Sequence, residues 1–490
     1  MEPRYDTLVK NVRVVRPNQP EVEVLDIAID DGKFAKLAAE IPADQAMNTI
    51  DGNQLLAFPG VIDCHMHVGI YNPFEEDARS ESRAAAQGGV TSSLTYMRTG
   101  QYYLNQGGSY RTFYPEVLRR AEGNFHVDYG FHVAPIAAEH VDEMALLANE
   151  YGVCTFKIFM FYGSHGLHGR SSAQNKYLMI PEDHRYDIAH FERIMRGLQR
   201  LAAEHPELAD RLSLSLHCET PEIMTYHTRM IEQQSELQGL AAYSAARPPH
   251  SEGLAVFTAG YLAHETGCRN INLLHLTSRK AVEAARSVVE AFPEVNFGRE
   301  VTVGHLTLDV SSPNGILCKV NPPVRSREDV ESLWQAVMER EIDWVGSDHA
   351  CCRKEMKLDP KQPESLFGAK AGFGGTEYLL SGLWSGGVKH GMTPQHVAEL
   401  LCWNPSRRFG LDRKGDIAEG FDADLVLFDP DESFVVDAQE SESTQGYSPF
   451  DGVELTGRVK QTFLRGELIY DHGNLVGAPR GKYLKRTPSA

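Results

Sequence analysis

The sequence predicts a (β/α)8 barrel joined to a small composite β-sandwich domain that both chain ends build. Between residues 61 and about 390, short apolar segments alternate with longer amphipathic ones, and eight segments are of the short kind. Alternation of strands and helices is typical of parallel α/β folds. A doubly wound sheet would give the same alternation, but its commonest signature, GxGxxG after the first strand, does not occur here.

The elements follow in order along the chain. The eight predicted barrel strands span 61–65, 90–96, 127–133, 153–159, 212–217, 271–275, 301–306 and 343–347. Apolar residues at three- and four-residue spacing predict helices between them, most clearly in 187–201 and 328–340. Before the barrel, 7–58 alternates like short strands, and strand-like patterns return at 424–428 and 458–466.

These patterns divide the chain into four parts. We expect 1–58 and 411–472 to form the two halves of the β domain, and 59–410 to form the catalytic barrel. The last part, 473–490, is rich in Gly, Pro, Lys and Arg. We expect it to be an extended tail that packs on a neighbouring subunit or is mobile.

Charge and composition narrow the class of partner. The formal net charge is −19, which argues against nucleic acid and against anionic membrane surfaces. No segment is long and apolar enough to span a bilayer, and the charged start predicts no signal peptide. The eight cysteines form no CxxC pair, which favours buried thiols in a reducing cytoplasm.

The ends of the predicted strands carry the residues of chemical interest. His65 and His67 are two positions apart at the end of the first strand, so both side chains point the same way and can reach one metal ion. Four more polar residues occupy comparable positions: Lys157, His217, His275 and Asp348. One histidine at a strand end is more often a hydrogen-bonded core residue, but functional side chains of barrels gather at this rim. Six together predict a metal site.

Lys157 suggests that the site holds two metals. A protonated lysine would repel a divalent ion, whereas a neutral lysine can react with CO2 to give a carbamate whose two oxygens bridge two ions. The set then divides into His65, His67 and Asp348 on one ion, His217 and His275 on the other, and Lys157, as N6-carboxylysine, between them. Such ligands suit Zn²⁺, with Mn²⁺, Co²⁺ or Fe²⁺ as alternatives.

The chemistry predicted for such a site is hydrolysis of an amide-like bond. Two metal ions can share a water, lower its pKa and polarise a carbonyl group, so that the shared hydroxide attacks the carbonyl carbon. Asp348 is placed to take the proton from that water as general base and to pass it to the leaving nitrogen as general acid.

The motifs resemble the amidohydrolase superfamily, and within it the cyclic amidohydrolases: hydantoinase, dihydropyrimidinase, allantoinase and dihydroorotase. The resemblance covers nearly the whole chain, and the segments that carry it are PGVIDCHMH, FKIFMFYG, GSDHA, GFGGTE, NPSRRFGL and GDIAEGFDADLVLFD. The resemblance implies that Tyr162 donates a hydrogen bond to the developing oxyanion and that the backbone of Asn321 binds the ring amide. It also implies a small cyclic amide as substrate and a homo-oligomer, either a tetramer or a dimer.

The ring itself stays open, because the sequence departs from familiar patterns. Dihydroorotase has an arginine just after HxH, but Val68 follows His67 here, and Ala371 stands where hydantoinases often have asparagine. The alternatives are an allantoinase, a lactam hydrolase or a deaminase, although deaminases usually lack the bridging lysine. A non-catalytic dihydropyrimidinase-like scaffold is disfavoured because all six ligand positions are intact. Cys351 and Cys352 are expected to line the pocket rather than to act as nucleophiles.

Overall fold

The structure, a computed structural model, describes residues 4–161, 187–234, 236–361 and 363–487. Its strands are β1 Tyr5–Val14, β2 Glu23–Asp30, β3 Lys33–Ala38, β4 Ala46–Asp51, β5 Leu56–Pro59, β6 Val61–Met66, β7 Val90–Met97, β8 Asp128–Val133, β9 Thr155–Phe159, β10 Ser213–His217, β11 Asn270–Leu273, β12 Asn296–Thr302, β13 Trp344–Gly346, β14 Leu425–Val435, β15 Glu454–Leu464, β16 Glu467–Asp471 and β17 Asn474–Leu475.

Helices fill most of the connections between barrel strands. The α-helices are Phe74–Gln87, Tyr110–Ala121, Ala138–Asp142, Met144–Tyr151, Ile188–Glu204, Pro221–Gln234, Gly239–Ala246, Pro249–Thr266, Arg279–Ala291, Val303–Thr307, Arg327–Met338, Lys354–Lys357, Leu379–Lys389, Pro394–Ala398 and Asn404–Arg408, and Glu399–Trp403 is π-helical.

Strands β6 to β13 form the predicted barrel. They lie side by side in chain order, and all pair in parallel. A parallel bridge between Met66 and His349 links the last strand to the first, and the His67 N–H donates to the His349 carbonyl at 2.7 Å. Because all eight strands run the same way, their carboxyl ends meet at one rim.

The helix predictions for 187–201 and 328–340 are confirmed as Ile188–Glu204 and Arg327–Met338. The prediction for the seventh strand was wrong in its position, because β12 begins at Asn296 and ends at Thr302. The apolar residues that follow form the short helix Val303–Thr307 instead. Thr302 explains the change, since its side chain accepts a hydrogen bond from the His305 N–H and caps that helix.

The small β domain is one nine-stranded sheet built from both chain ends. Its two halves join where β14 pairs antiparallel with β5, with Leu425 opposite Pro59 and Phe428 opposite Leu56. Strand β5 leads directly into barrel strand β6, so the junction fixes the sheet beside the first barrel strand.

The C-terminal segment packs along the barrel of its own chain. The Tyr129 N–H donates to the Lys482 carbonyl at 3.0 Å, and the Leu484 N–H donates to the Tyr129 carbonyl at 2.8 Å. Arg486 is fully buried, and its guanidinium contacts the Thr155 hydroxyl and the Phe131 carbonyl. The described part of the tail is therefore held by its own barrel, and packing on a neighbouring subunit stays a prediction.

All eight cysteines are buried and none forms a disulfide. Within the described ranges, no helix combines the length and the apolar character needed to cross a membrane.

Candidate metal centre

The six side chains predicted to bind metal come together at the carboxyl rim of the barrel. They are His65 on β6, His67 just after it, Lys157 on β9, His217 at the end of β10, His275 after β11 and Asp348 after β13. Only 12% of the Asp348 side chain is exposed, and the other five are almost completely buried. The site therefore lies inside the barrel mouth, where little water screens the charges.

Four of the six meet around one point. The Lys157 Nζ lies 2.5 Å from the His65 Nε2 and 3.2 Å from the His67 Nε2. The Asp348 Oδ1 lies 2.8 Å and 3.2 Å from the same two nitrogens. An ammonium, a carboxylate and two ring nitrogens thus share the space that one metal ion and its bridging ligand would take.

The other two histidines lie beside this group. The rings of His217 and His275 are 4.3 Å apart, and a ligand atom each of His65, His275 and Asp348 lies within 4.8 Å of the others. Among the described residues, the buried Nδ1 atoms of His217 and His275 have no hydrogen-bond partner. A buried polar atom without a partner is costly, and a divalent metal would satisfy both nitrogens. The residues present therefore fit a metal centre.

Three residues behind the histidines orient the rings, and the sequence analysis did not identify them. The His65 Nδ1 donates to the Glu300 Oε1 at 2.6 Å, the His67 Nδ1 lies 3.0 Å from the Tyr103 hydroxyl, and the His217 Nε2 lies 2.6 Å from the Glu219 Oε2. Partners of this kind hold a metal ligand in one orientation. Two of these residues could have been suspected from the sequence. Glu219 follows His217 by two positions, and Glu300 is a carboxylate on the buried strand β12.

Burial and neighbouring charges shift the pKa values of the cluster. Burial lowers the pKa of Lys157 to about 8, and it lowers those of His67 and His217 to about 3 and about 4. Burial also lowers the pKa of His65, but the carboxylates of Glu300 and Asp348 outweigh it and raise the value to about 9. His67 and His217 are therefore neutral at neutral pH, the form that binds metal.

Two of the six residues have a left-handed backbone. The φ angle is +34° at His275 and +51° at Asp348. Such a conformation costs a residue other than glycine about 1–3 kcal/mol and persists where the surroundings impose it, commonly at functional sites. At His275 the backbone N–H donates to the Glu300 Oε1 at 3.1 Å, so the carboxylate behind His65 also fixes this turn.

A cleft leads from the surface to this cluster. Its described lining is mostly apolar: His67, Ile70, Tyr71, Phe159, Val320, Asn321, Asp348, Ala350, Ala371 and Gly372. Besides Tyr71, the polar residues of this described lining are His67, Asn321 and Asp348. The Tyr71 hydroxyl donates to the Ala371 carbonyl at 2.6 Å, which closes one side of the cleft.

The remaining predicted site residues are placed as follows. Asn321 lies in the cleft wall, and its Oδ1 accepts a hydrogen bond from the Tyr243 hydroxyl at 2.5 Å. Tyr162 lies outside the described residues. Cys351 and Cys352 are fully buried, and burial raises the pKa of both thiols, so neither is a reactive thiolate at neutral pH.

Comparison with known proteins identifies several relatives. A sequence model of the amidohydrolase family matches residues 268–469. An allantoinase of Rubrobacter xylanophilus is 30% identical over 494 residues, and an allantoinase of Salmonella choleraesuis is 30% identical over 498 residues. Each alignment covers 98% of both chains.

Solved structures share the fold. The L-hydantoinase (dihydropyrimidinase) of Arthrobacter aurescens is 25% identical, with a TM-score of 0.82 over 97% of this chain and 98% of that one. The dihydropyrimidinase of Brevibacillus agri is 24% identical, with a TM-score of 0.83 over 99% of each chain. At that identity the second likeness concerns the fold alone.

Proposed function

The chain belongs to the amidohydrolase family, in its cyclic amidohydrolase branch, and from this premise we propose a two-metal hydrolase that opens a cyclic amide, imide or ureide ring. Membership of the family makes it a hydrolase of C–N bonds. The observation that carries the finer proposal is the convergence of six buried side chains at one rim, with the Nδ1 atoms of His217 and His275 unpartnered.

The proposed ligand assignment follows the two groups in the cluster. His65, His67 and Asp348 would hold one ion, and His217 and His275 would hold the other. Lys157 would bridge them as a carbamate. Its Nζ lies within 3.2 Å of the His65 and His67 ring nitrogens, and burial lowers its pKa to about 8, which favours the neutral amine that reacts with CO2. When bound, two such ions would lower the pKa of a water and polarise a carbonyl group. Nitrogen and oxygen ligands favour Zn²⁺, with Mn²⁺, Co²⁺ or Fe²⁺ as alternatives.

Asp348 is the proposed general base and acid. It is the only one of the six that reaches the cleft as a carboxylate, and its side chain is 12% exposed. It would take a proton from the attacking water as the new C–O bond forms at the ring carbonyl. It would then give that proton to the ring nitrogen as the C–N bond breaks.

Substrate recognition is proposed for Asn321 and Tyr162. Asn321 lies in the cleft wall, and the resemblance implies that its backbone binds the ring amide. Tyr162 would donate to the developing oxyanion, a role that rests on the resemblance.

The alternatives concern the substrate ring, the kind of C–N bond and whether the chain is catalytic. The relatives named allantoinase favour a ureide ring, whereas the apolar cleft lining suits hydantoins or dihydropyrimidines with an apolar substituent. A deaminase is disfavoured because deaminases usually bind one metal ion and lack the bridging lysine, whereas Lys157 lies among the histidines here. A scaffold without activity is disfavoured because all six groups remain.

The proposed setting is a cytoplasmic homo-oligomer, a tetramer or a dimer. Eight cysteines without a disulfide support a reducing compartment. The oligomer rests on the resemblance, and light scattering coupled to size-exclusion chromatography measures it directly.

Ring-opening assays test the proposal. Protein expressed with added Zn²⁺ or Mn²⁺ and bicarbonate would be offered hydantoin, 5-substituted hydantoins, dihydrouracil, allantoin, dihydroorotate, succinimide and simple lactams. We expect one or more uncharged rings to be opened and dihydroorotate to be left intact, since no arginine follows His67. Failure to open any ring, with no metal bound, would contradict the proposal.

A further inference from the structure

We propose that Glu219 and Arg247 are positioning residues, which fix the ring of His217 so that the lone pair of its Nδ1 faces the metal centre. The inference deepens the proposed function and rests on it for its purpose, although the ring geometry itself can be measured without metal.

The His217 ring is held in place on all sides. Only 1% of the residue is exposed, and the rings of His275, Phe161 and Phe159 lie 4.3, 4.7 and 5.0 Å away. Its Nε2 lies 2.6 Å from the Glu219 Oε2, and its Nδ1 has no hydrogen-bond partner in the part of the chain that the structure describes. One nitrogen therefore contacts a carboxylate, and the other is the nitrogen that remains for a metal ion.

Arg247 determines which nitrogen of His217 carries the proton. Its Nε donates to the Glu219 Oε1 at 2.9 Å, and its NH2 group contacts the Glu219 Oε2. A guanidinium has donors only, so Glu219 is present as an acceptor-only carboxylate. The His217 Nε2 must then donate, and its Nδ1 keeps a free lone pair.

Arg247 is itself anchored from the neighbouring elements. Its carbonyl accepts a hydrogen bond from the Arg325 NH1 at 2.5 Å, and its guanidinium lies 5.2 Å from the centre of the Phe161 ring. Only 1% of Arg247 and none of the Glu219 side chain is exposed. A buried ion pair adds little net stability compared with apolar residues. Its contact with a ligand histidine accounts for its presence better than stability does.

The pair also explains why the histidines present different nitrogens. Glu300 holds the Nδ1 of His65 and leaves the Nε2 toward Lys157, whereas Glu219 holds the Nε2 of His217 and leaves the Nδ1. The position of the outer carboxylate thus selects the ligand atom of each ring.

Glu219→Gln removes the carboxylate that holds the His217 Nε2 without changing the size of the side chain. A glutamine has one acceptor oxygen, which Arg247 claims, and its NH2 group then faces the His217 Nε2 as a donor. The ring is expected to change to the tautomer with the proton on Nδ1, which would point a hydrogen at the metal centre.

NMR of metal-free protein labelled with ¹⁵N-histidine reads the tautomer, with the His217 signals assigned from a His217→Gln spectrum. We expect the proton on Nε2 in the wild type and on Nδ1 in E219Q. A wild-type ring with the proton on Nδ1 would overturn the inference, whether or not the protein is an active hydrolase. An unchanged tautomer in a folded E219Q would overturn it as well.

Metal affinity, measured by competition with a chromophoric chelator, is the second readout. We expect E219Q to bind the more weakly held ion about 10- to 100-fold less tightly than the wild type. The matched control is Asp128→Asn, because Asp128 is also buried and paired with an arginine, Arg465, but lies at the start of β8, away from the described metal centre. It should lose thermal stability yet keep its metal affinity.

Arg247→Lys is the second variant if E219Q does not fold. It keeps the positive charge but loses one of two hydrogen bonds to Glu219, so a smaller loss of affinity is expected. Wild-type affinity in R247K would refute the role of Arg247. A wild-type protein that binds metal and opens no ring would refute the proposed function and leave the positioning of His217 supported.

Discussion

At the scale of single residues, Asp348 combines two proposed duties, as metal ligand and as proton carrier. Asp348→Asn removes the base, so we expect kcat/KM to fall by about 10²- to 10⁴-fold at saturating metal, measured by ring-opening kinetics. Asp343→Asn is the control, because Asp343 lies at the opposite end of β13 in a pair with Arg299. Activity of D348N within tenfold of the wild type would contradict the assignment.

Lys157 offers a second test at this scale, because the proposal requires a covalent modification. Native mass spectrometry of active protein should show the added mass of one CO2 on the chain. Lys157→Ala should lose its metal and its turnover, and a short carboxylic acid supplied in solution should restore part of both by standing in for the carbamate. Full activity with an unmodified Lys157 would exclude the bridging role.

The six residues that the sequence predicts as metal ligands lie together at the barrel rim, but the sequence did not predict the residues behind them. His65 and His67 can be recognised from the sequence because they are two positions apart at the end of one strand, where alternate side chains point the same way. Glu300 supports His65 from a strand far along the chain, and Tyr103 reaches His67 from a loop. Such contacts depend on how β6 and β12 lie in the closed barrel, which local patterns do not encode.

At the scale of elements, two loops that form the cleft wall are tied by a buried lysine. The Lys357 Nζ donates to the Lys319 carbonyl at 2.9 Å and to the Gly372 carbonyl at 2.6 Å. The Lys319 carbonyl also accepts from the Gly372 N–H at 3.0 Å, so Lys357→Met removes one of its two donors and takes the lysine from the Gly372 carbonyl. We expect denaturant unfolding to show a loss of about 1–3 kcal/mol in total. Lys354→Met, an exposed lysine in the same helix, should have little effect. KM should rise only in K357M.

The same lysine predicts a pH dependence. Burial lowers the pKa of Lys357 to about 8. Between that value and the pKa of an exposed lysine, about 10.4, the unfolded chain holds a proton that the folded chain has lost. The free energy of unfolding of the wild type therefore rises with pH relative to K357M, by up to about 1.4 kcal/mol per unit. Equal stability differences below and above this range would contradict the burial argument.

The end of strand β12 shows where a local sequence pattern predicts the wrong element. The pattern in 301–306 predicts a strand because its apolar residues alternate, yet the chain turns helical at Val303. A capping hydroxyl at Thr302 and a bond from the His305 ring to the Pro322 carbonyl, 2.9 Å long, favour the helix. Tertiary contacts thus outweighed the local preference.

At the scale of the whole molecule, the C-terminal segment packs against barrel strands β8 and β9. Arg486→Met should lower the free energy of unfolding by about 1–3 kcal/mol, because the Phe131 carbonyl loses its partner. Thermal melting measures the loss, with Lys485→Met, an exposed neighbour, as the control. Equal melting temperatures for both variants would mean that the segment adds no stability.

The architecture was predictable from the sequence because the strand signals repeat eight times and the chain ends share a pattern. That the two ends share one domain was predicted, but the choice of β5 as the partner of β14 and the path of 481–486 were not, since these contacts join segments several hundred residues apart. The choice of ring stays a proposal, because it depends on loops whose shape follows from long-range packing.

The central claim is that two metal ions act together. The most direct measurement is turnover of the best ring from the substrate panel as a function of metal bound per chain, with metal counted by plasma mass spectrometry. The claim predicts that turnover rises until two ions are bound and then levels off, and that a chelator abolishes it. Full turnover at one ion per chain, or turnover that a chelator leaves unchanged, would contradict it.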